Sequence, residues 1–289
     1  MNRIFTPRLA VFPGLFLVFT IFLLTSYVSF SYVAAEEQSE QSIIMTRQVF
    51  SGTNNEQFEN MSGIGADASG HIYMLDLIEG KIDKFDGNGT LVTSWGSFGG
   101  GQGQMNNTRS IAVYPCSNNL YIADTDNNRI QMFDSEGKFL RGWGSLGAGF
   151  NQFRFPQGIA LDSRQGDVYL ADTGNDRIQE FHGNGSYIRG WGSHGNSSGQ
   201  FNQPEGITVD RSGDVYVVDH DNHRIEKFDS NGTFITAWGS HGNSSGQFNQ
   251  PEGITVGTSG HIYVVDSGND RIQVFDSNGT FITAWSPVQ

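Results

Sequence analysis

The sequence predicts an all-β fold: a β-propeller of four-stranded antiparallel blades built from five repeats, preceded by an N-terminal hydrophobic helix. Three observations predict it. The stretch WGSHGNSSGQFNQPEGITV occurs verbatim at residues 191–209 and again at 238–256. Tyr73, Tyr121, Tyr169, Tyr216 and Tyr263 recur at steps of 48, 48, 47 and 47, and Asp76, Phe85 and Trp95 recur with them. The chain is also rich in glycine (38) and in aromatic residues (12%), a composition suited to short strands joined by tight turns.

Each repeat holds four strand-like pieces. In the fourth they are GITVD, DVYVVD, RIEKFD and TFITAWG, each rich in β-branched and aromatic residues and bounded by turn formers. Asn231-Gly232 and Asn278-Gly279 separate the last two pieces, and this dipeptide predicts a two-residue hairpin turn in which both residues take positive φ. RSGD after Asp210 and TSGH after Gly257 predict a similar turn between the first two pieces. One such sheet has two apolar faces and cannot bury either alone. Stacking the copies around an axis buries both. The recurring Trp and Phe then fill the gaps between blades.

The segments divide as follows. Residues 1–35 are a signal peptide or transmembrane anchor. Basic Arg3 and Arg8 precede a stretch without charge that ends at Glu36, and it exceeds the ~20 residues needed to cross a bilayer. Val33 and Ala35 fit a small-residue cleavage site. Either way the body is expected at the cell surface or secreted, with the membrane contacted only through this segment and the N-terminus inside if it is retained. Residues 36–42 read as a polar linker. The propeller occupies 43–289, with repeats at about 63–109, 110–157, 158–205, 206–252 and 253–289. Before them, SGTNNEQFENMSG echoes GNSSGQFNQPEG, so IIMTRQVF reads as one extra outer strand. Five complete copies favour a five-bladed ring; a six-bladed or open ring also accommodates them.

Charge and cysteine content exclude several functions. Seventeen Lys and Arg stand against thirty Asp and Glu, and this acidic balance argues against nucleic-acid partners. Cys116 is the single cysteine, so no intrachain disulfide and no cysteine-rich zinc module can form. Of the seven histidines, only His194, His220, His223 and His241 fall on one face, in loops, and read as solvated rather than as zinc ligands.

The quoted repeats, PEGITVD, then GDVYVVD, then DNHRIEKFDSNGTF, then WG with a Gly-rich loop and GQFNQP, resemble the NHL repeat. The resemblance covers about residues 63–285. The first copy departs from it, with Glu79-Gly80-Lys81 in place of the Asn-x-Arg step, and the second has YPCSNN in place of the Asp-x-x-Gly turn. NHL repeats act mainly as binding platforms, which implies a binding or scaffold module for a protein, glycan or small polar ligand outside the cell. Similar propellers that are metal-dependent amidating lyases or calcium-dependent lactonases imply the alternative of an enzyme; a structural envelope protein is the third reading.

Alternating strand direction places the connectors between repeats and the loops between second and third strands on one face, at one mouth of the central channel. The residue before each Gly-Ile step, or its equivalent, should ring that mouth: Ser62, Arg109, Gln157, Glu205 and Glu252. Their variation within a constant frame makes Arg109, Gln157, Glu205 and Glu252, with Asp219, His220 and His223 of the neighbouring loop, the candidate ligand-binding set. Glu205 and Glu252 lie in identical local sequence, which supplies no reason for the split pKa values of an acid/base pair. No catalytic residue is assigned. The recurrent Asp-x-x-Asn-x-Arg loops read as structural, with Arg pairing to Asp or to a neighbouring blade. Calcium at DTDNN or DHDN is the weaker reading, and no cofactor or metal site is expected. Asn60, Asn88, Asn106, Asn184, Asn196, Asn231, Asn243 and Asn278 begin glycosylation sequons.

Overall fold

The computed structural model describes residues 61–286. The expected N-terminal helix, the polar linker, the extra outer strand and the sequon at Asn60 lie outside them. The described residues form five blades, each built on four antiparallel strands in chain order; in blade 1 the two-residue strand Gln104–Met105 adds a parallel pairing to the last of them. Blade 1 comprises Met61–Ala66, Ile72–Asp76, Lys81–Phe85 and Leu91–Phe98. Blade 2 comprises Ser110–Tyr114, Asn119–Asp124, Arg129–Phe133 and Phe139–Trp143. Blade 3 comprises Ile159–Leu161, Val168–Asp172, Arg177–Phe181 and Tyr187–Trp191. Blade 4 comprises Pro204–Val209, Val215–Asp219, Arg224–Phe228 and Phe234–Trp238. Blade 5 comprises Pro251–Val256, Ile262–Asp266, Arg271–Phe275 and Phe281–Trp285.

The second strand of blade 3 shows why the repeats must stack. All five of its residues are buried. Val168 and Leu170 point into the core shared with blade 2, while Tyr169 and Ala171 point into the core shared with blade 4. Period-two alternation therefore feeds two different seams from one strand. A phenylalanine from the connector plugs three of these seams. Phe153, Phe201 and Phe248 have no exposed surface and lie 5.6–5.7 Å, ring to ring, from Phe181, Phe228 and Phe275. Met105 takes the same place between blades 1 and 2.

The tryptophans are less central than their recurrence suggests. All five are half-buried, and Trp95, Trp143, Trp191 and Trp238 each bury an indole N–H without a hydrogen-bond partner. Each of these four lies over the hairpin glycine of the next blade. A methyl group at Gly137, Gly185, Gly232 or Gly279 would meet the ring at 2.5–2.9 Å.

Those hairpins differ from the two-residue turn expected from Asn-Gly. In blade 4 the amide of Gly232 donates to the Asp229 carbonyl, and the amide of Asp229 to the Thr233 carbonyl. Only Gly232 takes positive φ (78°); Asn231 does not. The Asp229 carboxylate explains the change. It accepts the amides of Asn231 and Thr233, both at 2.8 Å, and so closes a turn one residue longer with glycine at its bulge.

The Asp-x-x-Asn-x-Arg loops clamp the connectors. Asp124, Asp172, Asp219 and Asp266 are fully buried, and each accepts the Nε of the arginine five residues on at 2.7 Å. The rest of each guanidinium reaches across to carbonyls of the preceding connector; Arg177 donates to Ala148, Gly149 and Gln152. Blade 1 lacks this clamp. Lys81 stands in the arginine position and pairs instead with Glu79, 2.5 Å away at the surface.

Candidate functional site

The first strand of each blade starts directly after a connector, so the residue at its start lies at the channel. Close approach of neighbouring first strands gathers these residues. A methyl group at Gly158 would collide with the Glu205 carbonyl oxygen, and one at Gly206 with that of Glu252. The glycine that follows each of these ring positions therefore has no room for a side chain. Glu205 and Glu252 are brought against each other in consequence.

The ring is polar and asymmetric. Ser62 Oγ donates to the Thr108 carbonyl at 2.5 Å. Gln157 Nε2 donates to Glu205 Oε1 across a long contact of 3.4 Å. Burial pushes the Glu205 carboxyl up to about 7. His220, Arg109 and the Gln157 hydrogen bond oppose this, while the Glu252 charge adds to it. Burial also raises Glu252, against His220, a hydrogen bond from Ser267 and Arg109. Identical local sequence therefore does not mean identical surroundings. Glu205 has Gln157 on one side and Glu252 on the other, whereas Glu252 is touched by Ser267.

His220 supplies the second asymmetry. It stands where blades 2 and 3 carry Thr125 and Thr173, whose hydroxyls donate to the carbonyls of Pro156 and Pro204 at 2.8 and 2.7 Å. The imidazole is largely buried, with Nδ1 2.9 Å from Asp221 Oδ1. The structure thus brings together Arg109, Gln157, Glu205, Glu252 and His220. It places the other two expected residues elsewhere. Asp219 is taken up by its clamp, accepting Arg224 and Asn222. His223 accepts the Gln250 amide on Nδ1 at 3.1 Å and meets His241 at a tilt, ring to ring at 4.7 Å; burial lowers its pKa first, with His241 and His220 adding to the shift.

Of the sequons described, Asn88, Asn184, Asn196, Asn231, Asn243 and Asn278 are exposed. Asn106 is half-buried and its sequon threonine, Thr108, is buried.

A feature that the repeat pattern does not announce lies at the other end of the channel. A cavity of about 840 Å³ opens on the face of the Asp-x-x-Gly turns. Ala112, Ala160 and Thr208 line its walls, and Cys116, Arg164 and Arg211 stand at its rim. These rim residues do not recur between repeats, so periodicity carries no sign of them.

The fold and the axial ring define a β-propeller whose chemically distinctive residues converge on its central channel. The NHL repeat family model matches three of its repeats, at residues 153–181, 201–228 and 248–275, consistent with an NHL-repeat propeller. These are the copies with the Phe plug and the full arginine clamp. No curated protein matches the chain. Among solved structures, a streptogramin B lyase is similar at a TM-score of 0.62 and 17% identity, over 79% of this chain and 70% of that one. A virginiamycin B lyase from Staphylococcus aureus aligns with TM-score 0.60 and 17% identity, over 79% and 71%. A nidogen/laminin complex contains a chain with TM-score 0.61 and 19% identity, over 78% and 80%. At these identities the likeness is one of fold.

Proposed function

We propose that this propeller is an exported or membrane-tethered binding module that holds a small polar ligand with a cationic group at the ring of Arg109, Gln157, Glu205 and Glu252. The observation that carries this reading is the carboxylate pair at the channel, half-buried Glu205 beside buried Glu252. Two carboxyls whose ionisation burial opposes, next to one arginine and one histidine, gain most from a ligand that brings positive charge and hydrogen-bond donors. Protein and glycan partners bearing such groups fit the same chemistry.

Glucosamine, choline and putrescine are suitable probes. Calorimetry at pH 8 should show saturable binding of at least one of them. Glu205→Gln and Glu252→Gln should each weaken it by about 10-fold or more, the scale of a lost charge-assisted hydrogen bond. Binding should also weaken as pH falls from 8 to 5.5. Glu205 titrates at about 7, so the acid side of that window neutralises the carboxylate that attracts the cation. No binding by any of the three, or binding indifferent to both substitutions, would reject the ring as the site.

Export rests on the charge pattern of the N-terminal segment. Protease added to intact cells should digest the propeller; full protection, with digestion only after lysis, would place it inside.

A further inference from the structure

Three connectors enter the ring in the same way. Phe155, Gln203 and Gln250 each stand two residues before a ring position, with Pro156, Pro204 or Pro251 between. They take positive φ, at 46°, 54° and 49°, a conformation that residues other than glycine rarely hold without support. The support is alike in all three. Each amide donates to a side chain in the loop between the second and third strands of the preceding blade. Phe155 donates to Asn128 Oδ1 at 2.9 Å, Gln203 to Asp176 Oδ1 at 2.8 Å, and Gln250 to His223 Nδ1 at 3.1 Å. Proline fixes its own φ, so a displacement of the supported residue carries through to the ring residue.

We propose that His223 is a positioning residue for Glu252 at the ring, and that it releases the connector when its imidazole is protonated. The accepting atom decides this. Amide and carboxylate oxygens keep their lone pairs through the pH range in which histidine titrates. Nδ1 accepts only while the imidazole is neutral with its proton on Nε2; the imidazolium carries N–H at both nitrogens and accepts nothing. A proton taken from water by Nδ1 therefore sets two donors against each other. Glu252 then loses a support that Gln157 and Glu205 keep.

The facing residue adds to the effect. His241 lies 4.7 Å from His223, ring to ring, where two imidazolium ions would repel. One seam earlier the equivalent of His241 is His194, which faces Asp176 at 3.0 Å, so protonation there strengthens the contact. The other charged groups around the His223 ring are His220 and Asp221 of its own loop and Asp266 of blade 5. Asp266 is engaged by Arg271, and Asp221 by His220 and Gln203. Burial, then His241 and His220, disfavour the charged ring, and the two aspartates favour it; the balance lowers its pKa. The contact is thus intact above the ordinary histidine value and lost as pH falls below it.

NMR on the full chain tests this through the solvent exchange of single amides, each divided by its intrinsic rate at the same pH. From pH 7.5 to 5.5, exchange at Gln250 should rise about 10-fold, the scale of one lost hydrogen bond. Exchange at Phe155 and Gln203 should stay level. In His223→Asn, Gln250 should stay level as well, since asparagine is the acceptor at position 128 and tolerates the φ of 52° at position 223. His223→Asp, on the pattern of Asp176, serves if the first variant does not fold. Only the effect on affinity rests on the ring being the ligand site. There, His223→Asn should lose less affinity for the three cationic probes over this pH step than the wild type, while the Glu205 titration acts in both. Level exchange at Gln250 in the wild type, or an equal rise in the wild type and His223→Asn, would overturn the proposal. Exchange as expected without binding of any probe would uphold His223 as the support and reject only the ring as the ligand site.

Discussion

Asp172→Ala is expected to destabilise the propeller by about 3–5 kcal/mol, the cost of removing one partner of a buried ion pair. At the scale of a domain of 150–250 residues this lowers the melting temperature by roughly 6–20 °C. The carboxylate is fully buried and accepts four groups. They are Arg177 Nε at 2.7 Å, Asn175 Nδ2 at 2.9 Å, Gln179 Nε2 at 3.0 Å and the Arg154 amide at 2.7 Å. Alanine satisfies none of them and leaves a guanidinium largely out of water with no counter-charge. The damage should spread to the connector, because Arg177 and Asn175 also hold carbonyls there. Hydrogen exchange at residues 145–153 should therefore rise more than in the strands of blade 3. Asp86→Ala is the control, since Asp86 accepts amides in a surface turn and bears no ion pair. Equal thermal unfolding of the two variants would show that the clamp does not hold the connectors.

Phe201→Ala is the second large effect, also about 3–5 kcal/mol, from lost burial and the cavity left behind. Phe201 has no exposed surface and packs among Tyr169, Ile178, Ile207 and Phe228. The surroundings cannot easily collapse into the space. Gly192 already approaches the ring so closely that an added methyl would lie 2.6 Å from it, and its φ of 99° restricts the backbone to glycine. Phe201 is four residues before Glu205, so the loss should also loosen the start of the first strand of blade 4 and weaken ligand binding at the ring. Trp191→Phe should cost far less despite the prominence of tryptophan in the repeat. Trp191 is half-buried and its indole N–H lacks a partner, so removing that group costs no hydrogen bond. Urea unfolding of the two variants checks the order; the reverse order would show that the tryptophans, not the connector phenylalanines, seal the seams.

Part of the candidate site is legible in the amino-acid sequence. Variation at Ser62, Arg109, Gln157, Glu205 and Glu252 inside a constant frame marks them as a ring, and the geometry gathers the last four of them. His220 is visible as a departure from the Thr or Ser at its position. Asp219 carries two sequence readings, as a ligand residue and as the first residue of a structural Asp-x-x-Asn-x-Arg loop, and its bonds to Asn222 and Arg224 favour the second. His223 shares that loop with His220, and only contacts with the following connector assign it to the seam of blades 4 and 5. The hairpins depart from expectation for a similar reason. Asn-Gly is a strong local signal, but the aspartate two residues earlier accepts both turn amides and outweighs it.

The sequence by itself determined the period, the four strands in each repeat, the turn glycines and the places in the repeat that vary. These follow from backbone sterics and alternation, which act between residues a few positions apart. Tertiary structure alone decided which apolar faces meet, which glycines must stay bare for the first strands to touch, and which neighbours act on Glu205 and on Glu252. It also decided that the large cavity opens beside Cys116, Arg164 and Arg211 rather than at the ring. Those outcomes depend on groups about 28 or 48 residues apart in the chain, and on the low polarity of the space they enclose. Neither is written in any one repeat, so two copies identical in sequence still differ in chemistry once each has its own neighbours.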